Sequence, residues 1–120
     1  MRWLPLGAAL AALAVISGAF GAHALKTRLE PPALELWETA TRYLFYGAFG
    51  LIAVGLVGRL ADTAMTAPGW SLLAGSVVFS GTVYALALGA PRWLGAITPI
   101  GGALLIAGFA SLAWLAYRLL

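Results

Sequence analysis

The sequence contains no cysteine and a single histidine, so disulfides, thiolate chemistry, iron–sulfur clusters and a histidine-rich metal site within one chain are excluded at once. Charge is nearly as scarce. Seven Lys and Arg and four Asp and Glu make up only 9% of the chain, where a soluble domain carries about one quarter. A water-facing surface cannot be assembled from so few charged side chains. The basic residues Arg2, Lys26, Arg28, Arg42, Arg59, Arg92 and Arg118 stand singly, without the run or stripe that holds a phosphate backbone, so nucleic acid is not an expected partner. No charged residue falls in the middle of a long apolar stretch, the place where proton relays and ion-coupled transporters carry one. Paired carboxylates, a phosphate-cradling glycine loop and a nucleophile beside a base are all missing. The chain is therefore expected not to be an enzyme, and neither a cofactor nor a metal is expected.

What is present is apolar. Of 120 residues, 62% are hydrophobic, and the mean hydropathy is +0.96. One membrane-crossing helix takes about 20 residues, so the length fits an all-α integral membrane protein: a four-helix transmembrane bundle in one domain, residues 1–120. The intervals between charges place the spans at about 3–23, 43–60, 70–90 and 98–119. The second is short, but Arg42 and Arg59 can bury their stems and lift their heads to the interface. Pro68-Gly69 reads as the turn before the third span and Ala90-Pro91 as its end. Thr98 reads as the N-cap of the fourth, with Pro99 in its first turn.

The connector, residues 26–42, is too charged to cross. After Pro31-Pro32, the residues Leu34, Trp37, Thr41 and Leu44 share one helical face while Glu35, Glu38 and Arg42 share another. This pattern predicts a short amphipathic helix lying at the interface between spans one and two, acting as a hinge into the second span or as a lid. Trp3, Trp37, Tyr43, Trp70, Trp93, Trp114 and Tyr117 cluster near span ends as an aromatic belt. Orientation stays open, because Arg2, Arg59 and Arg118 fall on one side against Lys26, Arg28, Arg42 and Arg92 on the other. Arg2, the apolar stretch and Ala22-His23-Ala24 also fit a cleaved secretory signal, but that stretch is longer than a usual signal core, which favours retention.

Small residues recur at helical spacing: Ala14, Gly18 and Ala22; Ser76 and Ser80; Ala103, Ala107 and Ser111. Such stripes allow close helix approach in lipid. The polar side chains within the spans are hydroxyls, Ser17, Ser76, Ser80, Thr82, Tyr84 and Ser111, which bond either a carbonyl one turn back or a neighbouring helix. His23 ends the first span. It either caps the last carbonyls of its own helix or meets Glu30, Glu35 or Glu38 in a pH-responsive contact.

Four blocks carry a family resemblance: Gly18-Ala19-Phe20-Gly21-Ala22-His23, then Trp37 and Thr39 ahead of Tyr43, then Phe79-Ser80-Gly81-Thr82-Val83-Tyr84-Ala85-Leu86-Ala87-Leu88, and Ile97-Thr98-Pro99-Ile100-Gly101-Gly102. In order and spacing they resemble the family called domain of unknown function 423, which also includes the eukaryotic transmembrane protein 256. The resemblance implies a small multi-pass protein of the bacterial inner (plasma) membrane, drawn with four spans and with no established activity. Where that family commonly shows a Gln after the tyrosine and a His three residues on, this chain has Leu44 and Gly47. The blocks suggest one polar, glycine-lined cavity formed by His23, Ser80, Thr82, Tyr84 and Thr98, open to a small molecule or lipid; the alternative is that these are tight-packing positions. The expected partners are the lipid bilayer and either further copies of the chain or a larger membrane complex. Two roles stay open: a structural or interaction component, and a small oligomeric transporter or channel.

Overall fold

The computed structural model describes residues 2–120. It is built from α1 (Trp3–Phe20), a π-helical turn (Gly21–Leu25), α2 (Pro31–Ala61), α3 (Thr66–Ala87), a 3-10 turn (Arg92–Ala96) and α4 (Thr98–Leu119), with no strand among the described residues. Four helical segments are long and apolar enough to cross a membrane. Successive helices run antiparallel. Gly7 meets Ala48 while Gly18 meets Thr41; Gly47 meets Ser76 while Gly58 meets Met65; Gly101 meets Phe79 while Gly108 meets Leu72. Trp3, Leu51, Val54, Met65, Leu72 and Leu105 form the apolar centre. Outward faces carry large apolar side chains such as Ile16, Leu60 and Ile106, as lipid contact requires.

The connector's amphipathic pattern is present, but not as a separate surface helix. Pro31 and Pro32 occupy the first two positions of α2, where a missing N–H costs no intrahelical bond. Nothing from there to Ala61 breaks the helix, so the connector and the second span form one element of 31 residues. The sequence face also covers something other than lipid: Thr41 and Leu44 are buried, and Trp37 half-buried, against the bundle, while Glu35, Glu38 and Arg42 are exposed.

Two helix starts differ from expectation for related reasons. Pro68-Gly69 lies inside α3, whose first residue is Thr66. Pro68 sits in the first turn, where backbone N–H groups have no intrahelical acceptor, and Gly69 is packed against the Trp3 indole. The reversal occurs earlier, at Asp62, in the left-handed region with φ 50. Thr98 is not an N-cap. A cap needs extended backbone, whereas the 3-10 turn runs directly into α4 and Ile97 is already helical at φ -85, ψ -31. Thr98 is the first residue of α4, and its hydroxyl donates back to the Leu94 carbonyl at 3.3 Å. The third span ends at Ala87 and the chain turns through Gly89, whose φ of +96 suits glycine.

Close seams of small residues are present, but not at all the expected positions: on α1 Ala14 is buried and Gly18 half-buried while Ala22 is exposed, and on α4 the phase is different. Ala103 and Ala107 are exposed, and the buried line is Gly101, Leu105 and Gly108. A Cβ on Gly75 would come within 2.8 Å of the Leu105 backbone nitrogen, and one on Gly7 within 2.7 Å of the Ala48 carbonyl oxygen. Glycine wins these positions because backbone-to-backbone approach yields more van der Waals contact than alanine allows.

Candidate functional site

The densest polar contacts lie where the C-terminal end of α1, the N-terminal half of α2 and the C-terminal half of α3 meet. Ser17 donates to the Tyr84 hydroxyl at 2.6 Å, and the Thr41 hydroxyl lies at 2.6 Å from the same oxygen. Ser17 and Thr41 face each other at 3.4 Å. The Trp37 indole N–H donates to the Ser17 carbonyl at 2.9 Å, and Thr41 also reaches the Trp37 carbonyl one turn back at 3.0 Å. Three helices are thus joined through one tyrosine oxygen and one tryptophan nitrogen.

Local sequence explains the arrangement. Trp37 and Thr41 are one turn apart on α2 and so point the same way. The Trp37 ring sits edge-on to Tyr84 with centroids 4.5 Å apart and beside Phe20 at 6.1 Å. Its other neighbour is Gly21, where a Cβ would lie 2.6 Å from the Trp37 ring. The glycine leaves room for the indole at the point where α1 widens into its π-helical turn. Single π-turns often mark functional positions; here the turn coincides with the seat of a tryptophan.

The five residues expected to line one cavity occupy four places. Tyr84 belongs to the hydroxyl cluster just described. Ser80, only 2% exposed, spends its hydroxyl on the Ala40 carbonyl of α2 at 2.8 Å. Thr82 and Thr98 face one another at 2.6 Å and join α3 to the start of α4; Thr82 also bonds the Val78 carbonyl at 2.8 Å. His23 stands apart. It is exposed on the π-helical turn and lines a shallow hollow with Phe20 and Arg28, while the Tyr84 oxygen takes its partners from Ser17 and Thr41. Beside Ser80 the helices form a closely packed seam. Next to it, Gly47 abuts Ser76 so closely that a Cβ would overlap the serine, and Leu44 is 6% exposed. The two positions that depart from the resembled family are therefore seam positions here.

Ser17, Thr41 and Trp37 complete the cluster and were not among the expected cavity residues. A signal for two of them was available: Trp37 and Thr41 share the connector's apolar face. Ser17 gave none beyond being a hydroxyl within a span. Chemically, the cluster offers hydroxyl and indole donors with no acid, base or cation. Among the described residues, no buried side-chain nitrogen or oxygen lacks a hydrogen-bond partner, and no three of His, Asp and Glu gather closely enough to hold a metal ion.

A different kind of concavity opens at the opposite end of the bundle. It is a surface cleft of about 810 Å³ bounded by the start of α1, the end of α2 and the start of α3, with Arg2, Arg59, Thr63, Thr66 and Trp70 in its lining.

Comparison with known proteins agrees with the resemblance read from the four blocks. The family model described as "Protein of unknown function (DUF423)" matches residues 17–102, a stretch that takes in Ser17, Trp37, Thr41 and Tyr84. The UPF0382 membrane protein of Staphylococcus saprophyticus is 47% identical over 104 residues, covering 87% of each chain. That of Staphylococcus epidermidis is 47% identical over 87% of this chain and 85% of its own. UPF0382 membrane protein YwdK of Bacillus subtilis is 44% identical over 81% of this chain and 80% of its own. No solved structure matches. The chain belongs to the DUF423 family of membrane proteins.

Proposed function

Starting from that membership, we propose that the protein is a structural or interaction component of the bacterial plasma membrane, without catalytic activity. The observation that carries this reading is the fate of the hydroxyls. Ser17, Thr41, Ser80, Tyr84, Thr82 and Thr98 are each spent on another helix or on a carbonyl one turn back. A conduction path needs polar groups free to replace the hydration of what passes, and these are committed to one another. A catalytic site needs a group that can take or give a proton near neutral pH, and aliphatic or phenolic hydroxyls without a neighbouring base do not. What the bundle presents to its surroundings is apolar side chains on α1 and α4, with room for lipid, for a second copy or for a larger membrane complex.

Reconstitution and extraction together test the reading. Mild detergent extraction followed by cross-linking is expected to recover a stoichiometric partner or a defined homo-oligomer, and proteoliposomes are expected to pass no ion, osmolyte or metabolite in a broad screen. Specific flux through the reconstituted protein replaces this reading with the transporter one. A solitary monomer in several detergents removes its support.

A further inference from the structure

The cleft at the Arg2 end differs in kind from the hydroxyl cluster. Two arginines line it and no Asp or Glu does. The carboxylate nearest in sequence, Asp62, follows the last turn of α2 and is not part of the lining. The cleft also has an apolar wall, with the exposed Leu4 and Pro5 on the same surface as Arg2 and Arg59. Its depth in the membrane is set by its neighbours. Arg2 immediately precedes α1 and Arg59 lies in the last turn of α2, so both guanidiniums stand at a helix end. Trp70, which lines the cleft at 48% exposure, is the kind of side chain that settles at the headgroup level.

We propose that this cleft binds the headgroup of an anionic phospholipid, with the phosphate between Arg2 and Arg59 and the acyl chains along Leu4 and Pro5. Guanidinium forks match a phosphate's oxygens two at a time. Thr66 adds a hydroxyl for the glycerol or a second phosphate oxygen, while the Thr63 hydroxyl already donates to the Ala61 carbonyl at 3.0 Å. The first-turn amides of α3, which starts at Thr66, add partial positive charge on the same side. A zwitterionic lipid brings a compensating cation that finds no carboxylate in the lining, so net negative charge is preferred. This site lies at the opposite end of the bundle from the hydroxyl cluster and does not depend on the structural role proposed above.

The full chain in neutral detergent is titrated separately with phosphatidylglycerol, phosphatidylcholine and inorganic phosphate, and bound species are counted by native mass spectrometry. Phosphatidylglycerol is expected to be retained well above phosphatidylcholine. Arg2→Gln and Arg59→Gln are each expected to weaken its binding about tenfold, the loss of one charge-assisted contact. Arg59→Lys, which keeps charge but not the fork, should fall between parent and Arg59→Gln. Arg92→Gln, at the opposite end, should bind as the parent does. Equal retention of phosphatidylcholine overturns the proposal, and so does an equal loss in Arg92→Gln, which would mean diffuse charge attraction. Saturation by inorganic phosphate with no gain from the lipid overturns it in favour of a free-anion site.

Discussion

Removing one oxygen should loosen three helices at once. Tyr84→Phe deletes the hydroxyl that contacts Ser17 and Thr41, each at 2.6 Å, and leaves the ring against Trp37. Hydrogen bonds between helices within a membrane average about 0.6 kcal/mol each, with a maximum of about 1.7, so two of them predict a loss of about 1.2 kcal/mol. Ser17 and Thr41 keep each other only at 3.4 Å, too long to recover much of this. Tyr84→Ala should cost more, because it also removes an aromatic pair contributing about 0.5–1.5 kcal/mol beyond its buried area. The assay is reversible unfolding in mixed micelles followed by circular dichroism, for parent, Tyr84→Phe, Ser17→Ala and the double variant. The cycle isolates the Ser17–Tyr84 coupling, expected at about 0.6 kcal/mol. Tyr84→Phe within about 0.3 kcal/mol of the parent, together with zero coupling, would refute the claim that the cluster braces the bundle. It would leave the hydroxyls available for another task.

Two further substitutions read the seams and the turns. Gly101→Ala places a methyl against the Phe79 backbone and is expected to destabilise by about 1–3 kcal/mol, as overpacking does. Gly81→Ala meets nothing within 4 Å and should be neutral or stabilising by up to about 1 kcal/mol through helix propensity; the same unfolding assay separates the two. Asp62→Gly, at the left-handed residue with φ 50 that ends α2, should raise stability by a few tenths of a kcal/mol or more, up to about 1, read as a shift in the unfolding midpoint.

The spans were legible because the bilayer fixes their length, and charge spacing therefore marks their ends. Arg59 stands in the last turn of α2 and Arg92 at the start of the segment that leads into α4, close to where the intervals placed them. Helix phase was much less legible. Gly101–Leu105–Gly108 and Ala103–Ala107–Ser111 are both rows of closely spaced residues on the same apolar helix, and only the neighbour decides which row is buried. A soluble helix would have announced its inner face by hydrophobicity, but a lipid-facing side chain is as apolar as a packed one. Helix starts failed for a local reason. Pro68-Gly69 and Thr98-Pro99 carry turn and cap signals, yet proline fits a first helical turn as well as a loop. Among the candidate site residues, the pairing of Thr82 with Thr98 follows from the hydroxyls' types and the α3–α4 hairpin, whereas the meeting of Ser17, Trp37, Thr41 and Tyr84 depends on three helices coming into register.

That register gives the long α2 a purpose that its length alone does not. Arg42 and Arg59 are separated by about 26 Å of helical rise, close to the ~30 Å thickness of hydrocarbon, so Thr41 lies at the interface and the residues from Pro31 to Ala40 rise beyond it. A helix extended past the hydrocarbon would ordinarily be free to tilt or fray. Here the extension carries Trp37, whose indole is held by the Ser17 carbonyl, by the Tyr84 ring and by the space over Gly21. The bonds therefore sit at the depth where water competes for them least on one side and most on the other. An interfacial hydroxyl cluster is weaker than the same cluster at the midplane, but it needs no charge to be stable. The opposite half of the bundle is held differently: Trp3 packs on Gly69 and Trp70, and Ser71 of α3 donates to the Leu104 carbonyl of α4 at 2.6 Å. It is at that end that a cleft with two arginines remains open.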